Sequence, residues 1–309
     1  MLSGTVRRGQ GGVYEVETPD GVLEAVLRGR LKRDERTGAK VVVGDRVDVE
    51  QELAGEEAVW AIVSVHERST VLARRAPGKA PRPKPIVANV DQVLVVFAAA
   101  NPDPHLRMLD RFLVIAEANA LAARVVINKV ELVGEQAARE RFAAYERAGY
   151  PVHYTSAKAD LGLAELHDTL AGRVSVLTGP SGVGKSSLVN ALFPGVDLRV
   201  GEISESVNKG RHTTVGSHAH PLPDAAGGFL IDTPGLREVG MWSLPVQELD
   251  RYFPELRPHL EQCRFGDCAH DAEPDCAVRR AVESGEVSAE RYDSYRRLRT
   301  ELEDEPPVY

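Results

Sequence analysis

The sequence predicts a multidomain chain with a small all-β barrel, a central α/β domain built on a mainly parallel sheet, and a mainly α C-terminal region that binds a metal. Three observations predict it. Short apolar alternations between turn signals fill residues 1–67, strand and helix patterns alternate over 86–240, and all three cysteines fall between Cys263 and Cys276.

At 309 residues the chain is long enough for two or three domains with buried cores. The longest apolar run, Val93 to Ala100, falls short of a membrane span, and Met1 to Gly12 lacks the apolar centre of a signal peptide. A cytoplasmic protein with no membrane partner is expected. The net charge of −8 argues against indiscriminate nucleic-acid binding.

In the first region, Val13 to Val16, Val22 to Leu27, Val41 to Val49 and Ala58 to Val65 read as strands of a barrel. An oligonucleotide-binding (OB-like) barrel is the sharper reading and an SH3-like barrel the plainer one. Few aromatics, Tyr14 and Trp60 among them, are present to stack on bases. Residues 68–85 read as a basic, proline-rich linker. Between Arg74 and Pro85 stand five basic residues, four prolines and no acid, suiting either an interdomain tether or a cationic arm on RNA phosphates.

Over 86–240, strand runs at Val93–Phe97, Arg124–Ile127, Val152–Thr155, Val174–Leu177 and Phe229–Ile231 alternate with helix-length segments such as Leu106–Leu121 and Gln136–Ala148. This βαβ succession implies a parallel sheet covered on both faces, with ligands at the carboxyl ends of its strands.

At one such end lies Gly179-Pro180-Ser181-Gly182-Val183-Gly184-Lys185-Ser186-Ser187, a G-x-x-x-x-G-K-S loop between a strand and a helical run. Its glycines let backbone N–H groups turn inward on phosphate, and the helix N-terminus adds its dipole. Lys185 reaches the β- and γ-phosphates, and Ser186 ligates Mg²⁺.

Asp232-Thr233-Pro234-Gly235 follows the last strand, where Asp232 can hold Mg²⁺ through water and the Gly235 N–H can meet the γ-phosphate. Between them, Gly210-Arg211-His212-Thr213-Thr214 supplies a candidate Mg²⁺ ligand, Thr213 first and Thr214 second. His212 is a candidate for catalysis, or else a solvent-facing loop histidine. Many small GTPases carry Gln where Leu236 stands, so intrinsic hydrolysis should be slow until a partner orders these loops.

Guanine is indicated by Asn128-Lys129-Val130-Glu131 and by Ser156-Ala157-Lys158, each after its own strand. A carboxylate accepts from the base N1–H and N2–H₂, for which adenine has no matching donors. In an ordinary GTPase these motifs follow the phosphate loop. Here they precede it, so the chain reads as a circular permutant.

From 241 to 309, Cys263-x4-Cys268-x-His270-x5-Cys276 offers three thiolates and one imidazole, a closed tetrahedral set for one structural Zn²⁺. The flanking helices carry Arg279, Arg280, Arg291, Arg296, Arg297 and Arg299. These suit an RNA- or protein-facing surface, or a solvated face balanced by the interleaved glutamates.

Taken in order, N-K-V-E, S-A-K, G-P-S-G-V-G-K-S-S, G-R-H-T-T, D-T-P-G and the cysteine–histidine cluster resemble the small ribosomal subunit biogenesis GTPase family over nearly the whole chain. The resemblance implies an OB-fold barrel, a permuted GTPase domain and a zinc domain. It also implies late maturation of the 30S subunit, contact with 16S rRNA and GTP hydrolysis stimulated by that subunit, with a monomer expected. Guanine contacts would fall on Asn128, Lys129 and Glu131, phosphate contacts on Gly179 to Ser187, and zinc on Cys263, Cys268, His270 and Cys276. The family usually has Asp where Glu131 stands, and some members have His where Ser243 stands. The alternative is a nucleotide-gated rRNA-binding module whose hydrolysis is incidental.

Overall fold

The computed structural model describes residues 1–29, 31, 40–54, 57–75, 83–194, 218–223, 227–232 and 244–304. The strands β1 (Leu2–Gln10), β2 (Val13–Thr18), β3 (Gly21–Leu27), β4 (Arg46–Ala54) and β5 (Glu57–Val65) close a barrel in the order β1-β2-β3-β5-β4. The β3–β5 pair is parallel and the other pairs are antiparallel, the arrangement of an OB-like barrel. Val6, Tyr14, Val16, Ala25, Leu27, Val47, Val49 and Ile62 fill its interior.

Two features of the barrel differ from the sequence pattern. β1 carries little apolar signal, since its alternation is broken by a register shift between Val6 and Arg8. The run Val41 to Val49 is not one strand. Gly44 breaks it at φ +87°, where a Cβ would lie 2.1 Å from Ala88 O.

The stretch expected to run as an extended linker begins and ends in paired strands. β6 (Val71–Arg75) and β7 (Pro83–Ala88) are antiparallel, and Leu72 and Val87 oppose each other in its core. Proline is tolerated here because, among the described residues, the two-stranded sheet meets a further segment only at the Val43–Val87 bridge, leaving most of its outer edges free of ladder bonds. The hairpin is joined to the barrel: Ala88 N–H donates to Val43 O at 2.9 Å, and Asn89 Nδ2 donates to Gly44 O at 2.9 Å. Arg68 grips the fully buried Asp45 through both carboxylate oxygens, at 2.7 and 2.8 Å.

The central sheet contains β8 (Gln92–Ala98), β9 (Ala122–Asn128), β10 (Val152–Tyr154), β11 (Val174–Thr178), β12 (His218–Pro221) and β13 (Phe229–Asp232). Its order is β10-β9-β8-β11-β13-β12, parallel except for β12. β12 reads His-Ala-His-Pro and gives no apolar signal; it is an edge strand of the sheet, and its Ala219 carbonyl accepts from Arg7 Nε of the barrel at 3.5 Å. α1 (Leu106–Ala118), α2 (Glu135–Arg147), α3 (Leu163–Leu170) and α4 (Lys185–Leu192) cover the sheet. Every residue of β8 is buried, which explains its unbroken apolar run.

One face of the sheet packs Leu94, Val96, Val126 and Leu177 beneath α3 and α4. The other packs Val93, Val95, Phe97 and Val125 against α1, α2 and the C-terminal region. There Leu249, Phe253, Leu256, Tyr295 and Leu298 belong to the same core as the sheet. The C-terminal elements are a 3-10 turn at Val246–Tyr252, α5 (Arg257–Leu260), α6 (Ala277–Ser284) and α7 (Ala289–Asp304).

Three of the six flanking arginines pair with carboxylates of the same region: Arg296 with Asp271, Arg297 with Asp293 and Arg299 with Glu303. The charge-balanced reading fits these three. Arg291 instead is buried, bound to Asp110 and Glu255. Among the described residues no helix is long and apolar enough to cross a membrane.

Candidate functional site

The phosphate loop leaves β11 at Gly179 and enters α4 at Lys185. Gly179 sits at φ +139°, and a Cβ there would lie 2.0 Å from Val96 O of the neighbouring strand. Gly184 has φ +90°, and its Cβ would lie 2.6 Å from Asn128 Nδ2. Glycine is therefore needed for close approach as well as for turning. Lys185 is buried, and its Nζ donates to Gly179 O at 2.9 Å and Pro180 O at 2.7 Å. These bonds hold the ammonium within the loop, and Ser186 beside it is also buried. Ser181, Gly182 and Ser187 are exposed.

The structure brings the guanine motifs onto this loop. Asn128 ends β9 and is 2% exposed; its Nδ2 donates to Val183 O at 2.9 Å, while its Oδ1 accepts from Ala157 N–H at 3.3 Å. One amide thus ties three motifs that are far apart in the chain. Lys129, left-handed at φ +63°, extends Nζ to Gly182 O at 2.6 Å and also to Asn101 O. Ser156 is buried, exchanges backbone bonds with Leu161, and accepts from Ala159 N–H at 2.9 Å. Glu131, in the 3-10 turn Val130–Leu132, and Lys158 are both exposed.

Asp232 is the last residue of β13, and its backbone registers with Leu177 of β11 just before the loop. His212, Thr213 and Gly235 lie outside the described residues, as do Thr214, Leu236 and Ser243. Asn101 was not singled out by sequence. Its signal was position, since it follows β8 at the carboxyl edge where the other strand ends carry motifs.

In the C-terminal region the four predicted metal ligands converge, with donor atoms all within 4.8 Å of one another. Cys263 Sγ lies 3.6 Å from His270 Nδ1 and 4.0 Å from Cys276 Sγ, and Cys276 Sγ lies 3.4 Å from that nitrogen. A tetrahedral Zn²⁺ with ordinary S and N bond lengths separates its donors by about 3.5–3.8 Å, so the set fits. Burial pushes the Cys268 thiol up to about 12 and also raises Cys276, whereas at Cys263 burial is outweighed by the backbone N–H groups of Ala277 and Val278, which lower it. Tyr292 and Tyr295 hydroxyls donate to the carbonyls of His270 and Ala269 at 2.5 and 2.9 Å, fixing the ligand loop from α7. His270 Nε2 faces Asp250 Oδ2 at 3.2 Å.

A parallel sheet with a phosphate loop on a central strand, and guanine motifs preceding that loop in sequence, defines a circularly permuted P-loop GTPase. Comparison with known proteins narrows this. The RsgA GTPase family matches residues 65–242, and the RsgA N-terminal domain matches residues 3–59. The chain is 56% identical over 301 residues to the small ribosomal subunit biogenesis GTPase RsgA of Gemmatimonas aurantiaca, covering 97% of each. It is 39% identical over 312 residues to the protein of that name from Geobacillus kaustophilus, covering 100% of each.

Among solved structures it resembles YjeQ from Thermotoga maritima, with TM-score 0.78 and 34% identity over 99% of each chain. It also resembles YloQ, described as a circularly permuted GTPase, with TM-score 0.74 and 29% identity over 100% of this chain and 98% of that one. The chain belongs to the RsgA GTPase family. It is a GTP hydrolase, and membership implies a guanine nucleotide and Mg²⁺.

Proposed function

We propose that this protein is a cytoplasmic, monomeric GTPase that binds the small ribosomal subunit through 16S rRNA, assists its late maturation and leaves after hydrolysing GTP to GDP and phosphate. The observation that carries the nucleotide half of this reading is the Asn128 amide, which links the phosphate loop to the Ser156–Lys158 turn. The ribosomal half is supported by full-length relatives named as small ribosomal subunit biogenesis GTPases.

In this reading the base lies against Asn128 and the Lys129 stem, with the Glu131 carboxylate accepting from its N1–H and N2–H₂. The Ala157 N–H serves O6, and Lys158 flanks that turn. Loop N–H groups from Gly179 to Ser187 wrap the phosphates. Lys185 offsets charge on the transferring phosphoryl group. When bound, Mg²⁺ would supply further charge neutralisation, and Ser186, Asp232 and Thr213 would hold it. His212 and Gly235 complete the loops that the ribosome orders around the attacking water. Cys263, Cys268, His270 and Cys276 hold one structural Zn²⁺.

Functional units of 1–67, 68–85, 86–240 and 241–309 remain the proposed division, with the last sharing a core with the third. GTP turnover with and without 30S subunits tests the whole. Faster turnover with subunits is expected, and an unchanged rate refutes the proposal.

A further inference from the structure

The zinc-ligand imidazole has two ring nitrogens with different surroundings. His270 is 2% exposed, and its Nδ1 points at the sulfurs of Cys263 and Cys276, 3.6 and 3.4 Å away. A ligand nitrogen must present its lone pair, so a metal on Nδ1 requires the ring proton to sit on Nε2. That nitrogen meets Oδ2 of Asp250 at 3.2 Å. The carboxylate is itself mostly withdrawn from water, at 17% side-chain exposure.

Asp250 does not come from the ligand loop. It belongs to the turn Val246–Tyr252, the first described element after β13 ends at Asp232. The same turn buries Leu249 in the core shared with the GTPase sheet, and its Val246 carbonyl accepts from Arg299 of α7 at 3.4 Å. Three residues beyond its end, Glu255 binds the buried Arg291.

We infer that Asp250 is a positioning residue of the metal centre, fixing the His270 tautomer for Nδ1 ligation and fastening the centre to the turn Val246–Tyr252. This rests on the zinc reading above. Loss of the carboxylate frees the ring to rotate and removes the acceptor that polarises it, so affinity for the metal falls although all four ligands remain. The zinc site is thereby anchored to that turn, rather than only to its own knuckle.

The test uses the full chain and zinc itself. Competition against a chromophoric chelator should give zinc binding about 10- to 100-fold weaker in Asp250→Ala. Asp250→Asn, which keeps a neutral acceptor, should recover most of the loss. Nitrogen-15 NMR of the zinc-loaded ring should report a metal-bound Nδ1 in wild type and an Nε2–H whose hydrogen-bonded shift is lost in Asp250→Ala, a change that a carboxylate not bonded to the ring would not cause. Unchanged zinc affinity in Asp250→Ala, or metal on Nε2, overturns the inference. If Asp250→Ala does not fold, the Nε2–H shift in Asp250→Asn decides it: a shift toward weaker hydrogen bonding supports the inference and an unchanged shift overturns it. A wild-type chain that takes up no zinc overturns the metal reading itself, and this inference with it.

Discussion

Arg291 Nη1 donates to Asp110 Oδ1 at 2.5 Å across 181 positions of sequence, with both side chains at 2% exposure or less. The same guanidinium forks onto Glu255 at 2.7 and 3.1 Å and lies over the rings of Phe253, Tyr145 and Tyr150. α7 of the C-terminal region is thus clamped to α1 of the GTPase domain. Arg291→Met leaves two buried carboxylates without their counterion and should lower unfolding stability by about 3–5 kcal/mol. Urea denaturation of wild type and variant measures it.

Asn128→Ala removes the amide between the phosphate loop and the Ser156–Lys158 turn and leaves Val183 O without its donor. A lost buried bond of this kind is worth about 1–3 kcal/mol, so GDP should bind about 5- to 150-fold more weakly. Titration with a fluorescent GDP analogue reads the change. Equal affinity would remove Asn128 from the nucleotide site.

Gly184→Ala should disturb the same junction from the other side. At φ +90°, with a Cβ 2.6 Å from Asn128 Nδ2, an alanine strains the backbone and displaces the amide. Nucleotide affinity should fall together with a stability loss of about 1–3 kcal/mol, followed by nucleotide titration and thermal melting.

On the barrel, Asp48 accepts from Ser64, Ser3 and His66, and these bonds lower its carboxyl from 3.8 to about 2. Because the folded value lies below the unfolded one, its stabilisation is complete above about pH 4 and is lost as pH falls toward 2. Asp48→Asn should lower stability at pH 7 and flatten this part of the acid limb. Stability measured from pH 7 to pH 2 in both proteins checks it.

The phosphate loop and the candidate metal cluster were legible because their chemistry needs particular residues at fixed spacing. Gly179 to Ser186 and Cys263 to Cys276 are local in sequence, so the chain announced them before it was folded. Fold elements were legible where burial is two-sided, as in β8. β12 escaped because an edge strand needs no apolar face, and β1 because a bulge broke its alternation. Pairing at Leu72 and Val87 was hidden by the surrounding prolines and basic residues. Arg291 looked like any arginine on an acidic helix, since burial of a charge depends on partners such as Asp110 that lie far away in sequence.

Lys185→Ala separates a hydrolytic factor from a passive RNA-binding module. Its ammonium is fixed inside the loop by Gly179 O and Pro180 O, so its removal should not disturb the barrel or the zinc region. Turnover should fall about 100-fold or more, while affinity for the subunit is retained. A cellular role retained despite lost turnover would favour the module, whereas loss of that role together with turnover marks the hydrolytic factor.

The most direct measurement is single-turnover GTP hydrolysis by the purified full chain, with and without 30S subunits at saturating concentration. The account predicts slow intrinsic hydrolysis and at least about a tenfold acceleration by the subunit, as partners that order GTPase switches provide. Equal rates in the two reactions would contradict it.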